Sequence, residues 1–256
     1  MYNINMEIEK KYQNKEWLIK KYWDEKMSAY QIGKLCGTYG QIIQNWLIKY
    51  NISRRTIYEN TNHCNLSQKA IEWINGELLG DGSLRFVSKQ SAKFMYGSKH
   101  LEYIQYISDT LKSFGIEQSG KIRERIDKKY KSQSWQYESL SYSELLSIRK
   151  KWYPEGEKIV PKDIKLSPIT CRQWHIGDGS LLHPKKSKPY IVLATNSFSI
   201  LDIEWLRIQL INIGIKATSR KSTSGETIYI SVYSIKDFLD YIGECPVECY
   251  KYKFNY

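Results

Sequence analysis

One phrase occurs twice in this chain. The pentapeptide Gly80-Asp81-Gly82-Ser83-Leu84 returns 97 residues later as Gly177-Asp178-Gly179-Ser180-Leu181. A single Asp-Gly pair is an ordinary turn signal, but recurrence within matched surroundings marks a repeated structural unit. Each copy follows a segment of helical period, Ala70 to Leu79 and Ile169 to Ile176, and precedes a polar turn with an alternating strand, Ala92 to Tyr96 and Tyr190 to Ala194. An amphipathic helix comes next in both. The first is expected to bury Leu101, Ile104, Ile107, Leu111 and Phe114 and to stop at Gly115; the second, to bury Leu201, Trp205, Ile208 and Ile211 and to stop at Gly214. From Asp to that terminating glycine the copies measure 34 and 36 residues. Two further strands follow in each, Lys121 to Ile126 with Ser134 to Leu140 and Lys216 to Lys221 with Thr227 to Val232. A short helix closes each copy, Ser143 to Lys150 and Ile235 to Ile242.

The expected fold is therefore α+β: two αββαββα repeats, residues 69–153 and 169–256, joined by a linker over 154–168 that contains Pro154, Gly156, Pro161 and Pro168. Two like units pack naturally about a pseudo-twofold axis. Gly76, Gly80 and Gly177 would let the two motif helices approach closely, leaving Asp81 and Asp178 side by side at the helix C-termini. Carboxylates ~6 Å apart repel by roughly 3 kcal/mol at an effective dielectric near 20, and each also faces a negative helix end. A positive charge must offset this. Oxygen-only ligands point to Mg²⁺, with Mn²⁺ as a substitute.

Residues 1–60 read as a separate helix-turn-helix domain, followed by a linker at 61–68. Trp17, Leu18 and Tyr22 share a stripe on a first helix ending near Lys26; Ser28 and Gln31 have capping-box spacing at the start of a second, which is expected to bury Ile32 and Leu35. Gly37 to Gly40 interrupts the chain before a third helix, with Ile42, Ile43, Trp46, Leu47 and Tyr50 inward and Gln41, Gln44, Asn45 and Lys49 outward. Carboxamides on the outer face suit adenine edges in a major groove, and Arg54 and Arg55 suit phosphates. The segment resembles the DNA-binding domains of resolvases and transposases.

Charge points the same way. Thirty-nine Lys and Arg stand against 27 Asp and Glu, and residues 1–65, 66–150 and 151–256 each carry +4. An even basic bias over folded segments favours a long polyanion lying along the molecule over a basic tether. Lys121, Arg123 and Arg125 alternate with other residues along one strand, as do Lys216, Thr218 and Arg220 along its counterpart, which directs them to one sheet face. Arg85, Lys89 and Lys93, and in the second copy Lys185, Lys186 and Lys188, extend that surface into a DNA-binding saddle. Five cysteines without a CxxC imply reduced thiols rather than a disulfide framework or zinc module. No apolar run is long enough for a membrane span and the N-terminus is polar, so a soluble, intracellular protein of the cytoplasm or an organelle is expected.

The stretches Ile74 to Gly82 and Cys171 to Gly179 are similar to the two motifs of LAGLIDADG homing endonucleases, and the second, Trp174-His175-Ile176-Gly177-Asp178-Gly179-Ser180, resembles their group I intron branch. The likeness covers about residues 69 to 256. It departs at Gln173, which stands where the first copy has Gly76, and at His175 in an apolar position; an asymmetric helix interface with His175 packed rather than ligating is expected. The resemblance implies that Asp81 and Asp178 bind the divalent ions with help from the carbonyls of Gly80 and Gly177. It also implies a basic residue late in each half. The repeat nominates Lys158, 77 residues past its Asp, and Lys251, 73 past its own, as catalytic groups alongside the two aspartates. The function so implied is monomeric, Mg²⁺-dependent cleavage of double-stranded DNA at a long asymmetric site, across the minor groove with short 3′ overhangs. The family's fold also serves in RNA maturases, with intron RNA as partner, and in regulators that bind without cutting. Retention of both aspartates favours the nuclease over the pure binder.

Overall fold

The computed structural model describes residues 11–56, 61–127, 129, 132–222 and 225–256. The chain divides into two compact units, residues 1–61 and 62–256; positions 1–10 and 57–60 of the first lie outside the described residues.

In the N-terminal unit, Asn14 caps α1 (Lys15–Ile19), which continues through a wider turn to Asp24. α2 (Ala29–Leu35) opens with the expected capping box: Ser28 Oγ accepts from the Gln31 N–H at 3.2 Å, and Gln31 Oε1 accepts from the Ser28 N–H at 2.7 Å. A short turn with Gly37 at φ 65° leads into α3 (Gly40–Lys49). Leu18, Tyr22, Ile32, Cys36, Ile43, Leu47 and Ile52 form its core. Leu35 and Ile42, expected inward from the sequence pattern, are exposed; next to Leu35 it is Cys36 that turns inward, and in the third helix Ile43 and Leu47 do.

The larger unit consists of two four-stranded antiparallel sheets and the helices packed on them. The first repeat runs α4 (Gln68–Leu79), β1 (Ser83–Ser88), β2 (Ser91–Ser98), α5 (Leu101–Ser113), β3 (Arg123–Asp127), β4 (Ser132–Glu138) and α6 (Ser143–Trp152). The second runs α7 (Pro168–Asp178), β5 (Gly179–Leu182), β6 (Tyr190–Leu193), α8 (Ile200–Asn212), β7 (Ala217–Ser222), β8 (Gly225–Ile230) and α9 (Ile235–Ile242). Strand orders are β1-β2-β4-β3 and β5-β6-β8-β7, the same topology twice. Both motif helices start alike: the hydroxyls of Ser67 and Ser167 accept from the N–H three residues on, at 3.2 and 3.3 Å. One continuous core joins the repeats, from Phe94, Tyr103 and Trp152 in the first to Trp174, Ile191 and Phe238 in the second.

Register decides which side chains face the core. Phe94, Tyr96 and Tyr137 point inward, while the paired positions Arg85↔Lys93, Arg123↔Gln136 and Arg125↔Ser134 point to the other face. α5 buries Tyr103, Ile104, Ile107 and Leu111 and leaves Leu101 exposed. α8 departs further from expectation: it buries Asp202, Ile203, Leu206 and Leu210, whereas Leu201 is 80% exposed and Ile208 and Ile211 face solvent. An apolar residue at nearly every turn position on both sides gives this helix no single stripe, so its inward face is set by the sheet beneath it. No helix among the described residues is long and apolar enough to cross a membrane.

Candidate nuclease site

The motif helices α4 and α7 cross at contact distance because their facing positions are glycines. A Cβ at Gly76 would lie 2.5 Å from Thr170 O and 2.8 Å from Gln173 Cβ. At the C-terminal end the backbones themselves touch: a Cβ at Gly80 would stand 3.2 Å from Gly177 Cα, and one at Gly177 would stand 3.2 Å from Gly80 Cα and 3.4 Å from Asp81 N. Asp81 and Asp178, each one residue beyond these glycines, are thereby brought together.

Their environment shows the mutual repulsion. Burial, then the neighbouring Asp81 charge, pushes the Asp178 carboxyl up to about 7, against the pull of Lys158 and Lys253. Lys158 is itself brought down to about 8 by burial, opposed by Asp178 and Asp81. Its Nζ donates to Gly80 O at 3.1 Å and Gly82 O at 3.0 Å. In the second repeat the matching place belongs to Lys253, not Lys251. Lys253 is buried, donates to Ile176 O at 2.6 Å and Gly177 O at 3.2 Å, and has its ammonium likewise depressed by burial. Lys251 is 55% exposed and paired with Glu248. The two lysines are two residues apart in a 3-10 turn (Glu248–Lys253), where such positions point in different directions. The signal was in the chain as a second lysine, but repeat spacing could not choose between them.

The carbonyls of Gly80 and Gly177, expected to assist a metal, each accept from a lysine ammonium here. The two aspartates are thus the anionic part of the site. No cluster of three or more His, Cys, Asp or Glu occurs among the described residues; the two carboxylates are oxygen donors of the kind that suit a hard cation keeping most of its waters, as Mg²⁺ does. His175 is fully buried, its Nε2 2.9 Å from Lys253 O, and burial brings its imidazole down to about 4. It is a helix-packing residue, as expected.

Sequence reasoning missed the polar layer beneath the aspartates. Glu77 is wholly buried, its Oε1 accepting from Tyr103 Oη at 2.6 Å, and desolvation raises its carboxyl to about 8. Gln173 completes this layer with its amide nitrogen toward Glu77 Oε1 (3.0 Å) and its oxygen toward Tyr106 Oη and Trp73 Nε1, both 3.2 Å. Tyr96 Oη lies 3.6 Å from the Cβ position of Gly177.

The candidate DNA-binding residues separate into groups. Arg85, Lys89, Arg123 and Arg125 are exposed on or beside the open face of the first sheet, where Lys93 and Arg123 also pair with Glu138 at 2.5 and 3.8 Å. Lys121 and Lys216 lie just ahead of β3 and β7. Lys185, Lys186 and Lys188 occupy the β5–β6 loop, with Lys188 Nζ donating to Tyr233 Oη at 3.0 Å. Arg220 lies over the Tyr229 ring at 4.6 Å. In the N-terminal unit Gln41, Gln44 and Asn45 are exposed on one side of α3, and Arg54 is exposed. Arg55 instead lies over the Tyr22 ring at 4.4 Å and donates to Met27 O at 3.0 Å, so its guanidinium holds the unit together.

The chain is similar to several known proteins. Among curated proteins, a cytochrome b mRNA maturase of Debaryomyces hansenii is 28% identical over 67% of this chain and 66% of its own length. This chain thus spans just under two thirds of that relative. An uncharacterised protein of Methanocaldococcus jannaschii is 24% identical, covering 75% of this chain and 76% of its own. Among solved structures, the homing endonuclease I-WcaI bound to its DNA recognition sequence shares the fold at a TM-score of 0.66 and 18% identity, over 78% of this chain and 90% of that one. The family model for LAGLIDADG DNA endonucleases matches residues 71–238, both motifs and both sheets, and the chain belongs to that family.

Proposed function

We propose that the protein is a site-specific endonuclease that hydrolyses both strands of double-stranded DNA at a long asymmetric target. One observation carries the reading: two aspartates are brought together by a glycine-to-glycine backbone contact, with a half-buried lysine on one side and a buried one on the other. A pure binder has no use for a carboxyl that burial, and then the charge of a neighbouring carboxylate, drive up to about 7.

Asp81 and Asp178 would hold the divalent cation, Mg²⁺ or Mn²⁺ in its place. When bound, the ion lowers the pKa of a water and neutralises charge on the scissile phosphate. The chain's own residues do the rest. Each Asp serves one strand, and Lys158 and Lys253 place ammonium groups where negative charge grows during in-line attack of water on phosphorus and departure of the 3′ oxygen. The open sheet faces track the backbone, and α3 of the N-terminal unit, acting as a recognition helix, adds affinity and site length by effective concentration. The protein would act as a monomer, since both halves of the site are in one chain.

The similarity to a maturase supports a second activity, binding intron RNA, which can coexist with cleavage. The test is direct. Plasmids with a randomised insert are enriched for binding in Ca²⁺ and then given Mg²⁺. The expected result is linear product with short 3′ overhangs, abolished by Asp81→Asn and by Asp178→Asn while binding persists. Bound plasmids that stay intact, or that both variants cut normally, would sink the reading.

A further inference from the structure

Each of the two site lysines arrives on a segment fastened to the opposite repeat. Lys158 follows α6 of the first repeat and donates to that repeat's own motif carbonyls. Its segment is nevertheless tied to the second repeat, where Asp202 accepts from the Val160 N–H at 3.4 Å and pairs with Lys162, and where the Phe198 ring lies 5.8 Å from Lys158 Nζ. Lys253 follows α9 of the second repeat and donates to that repeat's carbonyls. Its segment is tied to the first repeat, where Glu102 accepts from the N–H groups of Glu248 at 2.7 Å and Cys249 at 3.0 Å. Tyr250 of the same segment pairs its Oη with Ser98 Oγ at 3.1 Å and sets its ring against His100 and Tyr103.

The two anchors occupy matching places. Glu102 and Asp202 both lie in the first turn of the helix after the central hairpin, α5 and α8, one position apart in register. An acid there is ordinarily explained by the helix's own positive end. Here the carboxylate oxygens reach another segment instead. Glu102 caps a foreign 3-10 helix whose first N–H groups have no intrahelical acceptor. Those N–H groups, Glu248's foremost, hold its carboxyl below the usual carboxylate range.

We infer that Glu102 and Asp202 are positioning residues, each locking in trans the strap that delivers the other repeat's lysine to its aspartate, so that each governs cleavage of one DNA strand. This deepens the nuclease reading and rests on it for the strand assignment, while the straps themselves can be measured without any cutting. Glu102→Gln keeps the size of the side chain but turns one acceptor into a donor facing a backbone N–H; Asp202→Asn does the same at the other strap. With supercoiled target plasmid, each variant should slow one strand by about 10–100-fold and accumulate nicked circles, the nick falling on complementary strands in the two cases. Adding Lys253→Met to Glu102→Gln should cost nothing beyond Lys253→Met alone. Backbone hydrogen exchange should show Glu248 and Cys249 losing protection in Glu102→Gln, and Val160 losing it in Asp202→Asn, with the other strap unchanged. Should Asp202→Asn fail to fold, Lys162→Met loosens the same strap from its exposed side. Equal slowing of both strands, or unchanged exchange, overturns the proposal. If the wild-type protein cuts no DNA, the nuclease reading falls while the exchange experiment still decides the straps.

Discussion

The two repeats share a strand order but not a surface. The open face of the first sheet carries Arg85, Lys93, Arg123 and Arg125. The corresponding face of the second is formed by Tyr190, Val192, Thr218 and Tyr229, with Arg220 laid over the Tyr229 ring and the rings of Tyr190 and Tyr229 5.5 Å apart. Beneath the sheets the same contrast appears in the motif helices: Gly76 and Glu77 of α4 stand at the positions of Gln173 and Trp174 of α7. What both repeats keep is the glycine contact, the aspartate and the lysine on its motif carbonyls. Symmetry is retained where the motif helices touch and abandoned on the open sheet faces, as the proposed asymmetric DNA target would require.

The largest effect is expected where the shared lysines are removed one at a time. Lys158→Met and Lys253→Met should each reduce cleavage by about 10²–10⁴-fold, whereas Lys251→Met should stay within about twofold, as surface changes do. A damaging Lys251→Met with a harmless Lys253→Met would remove the matched pair.

Next in size is a pH asymmetry in stability. Glu77 in the first repeat has its carboxyl raised from 4.5 to about 8, so its contribution is complete below about 4.5 and is lost as pH rises through 8. His175 in the second is lowered from 6.5 to about 4, so its contribution is complete above 6.5 and is lost as pH falls through 4. Glu77→Gln should therefore flatten the alkaline side of a denaturant-stability profile, and His175→Gln the acid side, each by on the order of a few kcal/mol. Identical effects on both sides would show that neither group titrates as placed.

Gly76→Ala sharpens the packing half of the comparison. Its Cβ would meet the Thr170 backbone and the root of the Gln173 side chain, neither free to move aside, so a loss of about 1–3 kcal/mol is expected, read as a lowered Tm. The smallest effect concerns the sheets. Arg125→Ala should reduce the slope of log affinity against log salt by about one, while Thr218→Ala on the second sheet should leave it unchanged.

Much of this molecule could be read before folding. The recurring Gly-Asp-Gly located both motif helices and their ends, because a glycine pair and a following strand leave few alternatives for the backbone. Strand alternation assigned the basic residues of the first sheet to one face. Other choices were not in the linear pattern. Lys251 and Lys253 differ by two positions in a turn whose direction is set by Glu102, 146 residues earlier in the chain. α8 is apolar on both sides, and only the sheet beneath it selected Leu206 and Leu210 over Ile208 and Ile211.

The chain's residues alone dictated a duplicated α+β unit and two acids at helix ends, since local propensity, capping and period all act between near neighbours. Three-dimensional packing decided which lysine enters the site, why the carboxyl of a buried glutamate beneath it is raised, and how each repeat clasps the other. These depend on desolvation and on contacts between distant segments, which exist only once the helices have crossed.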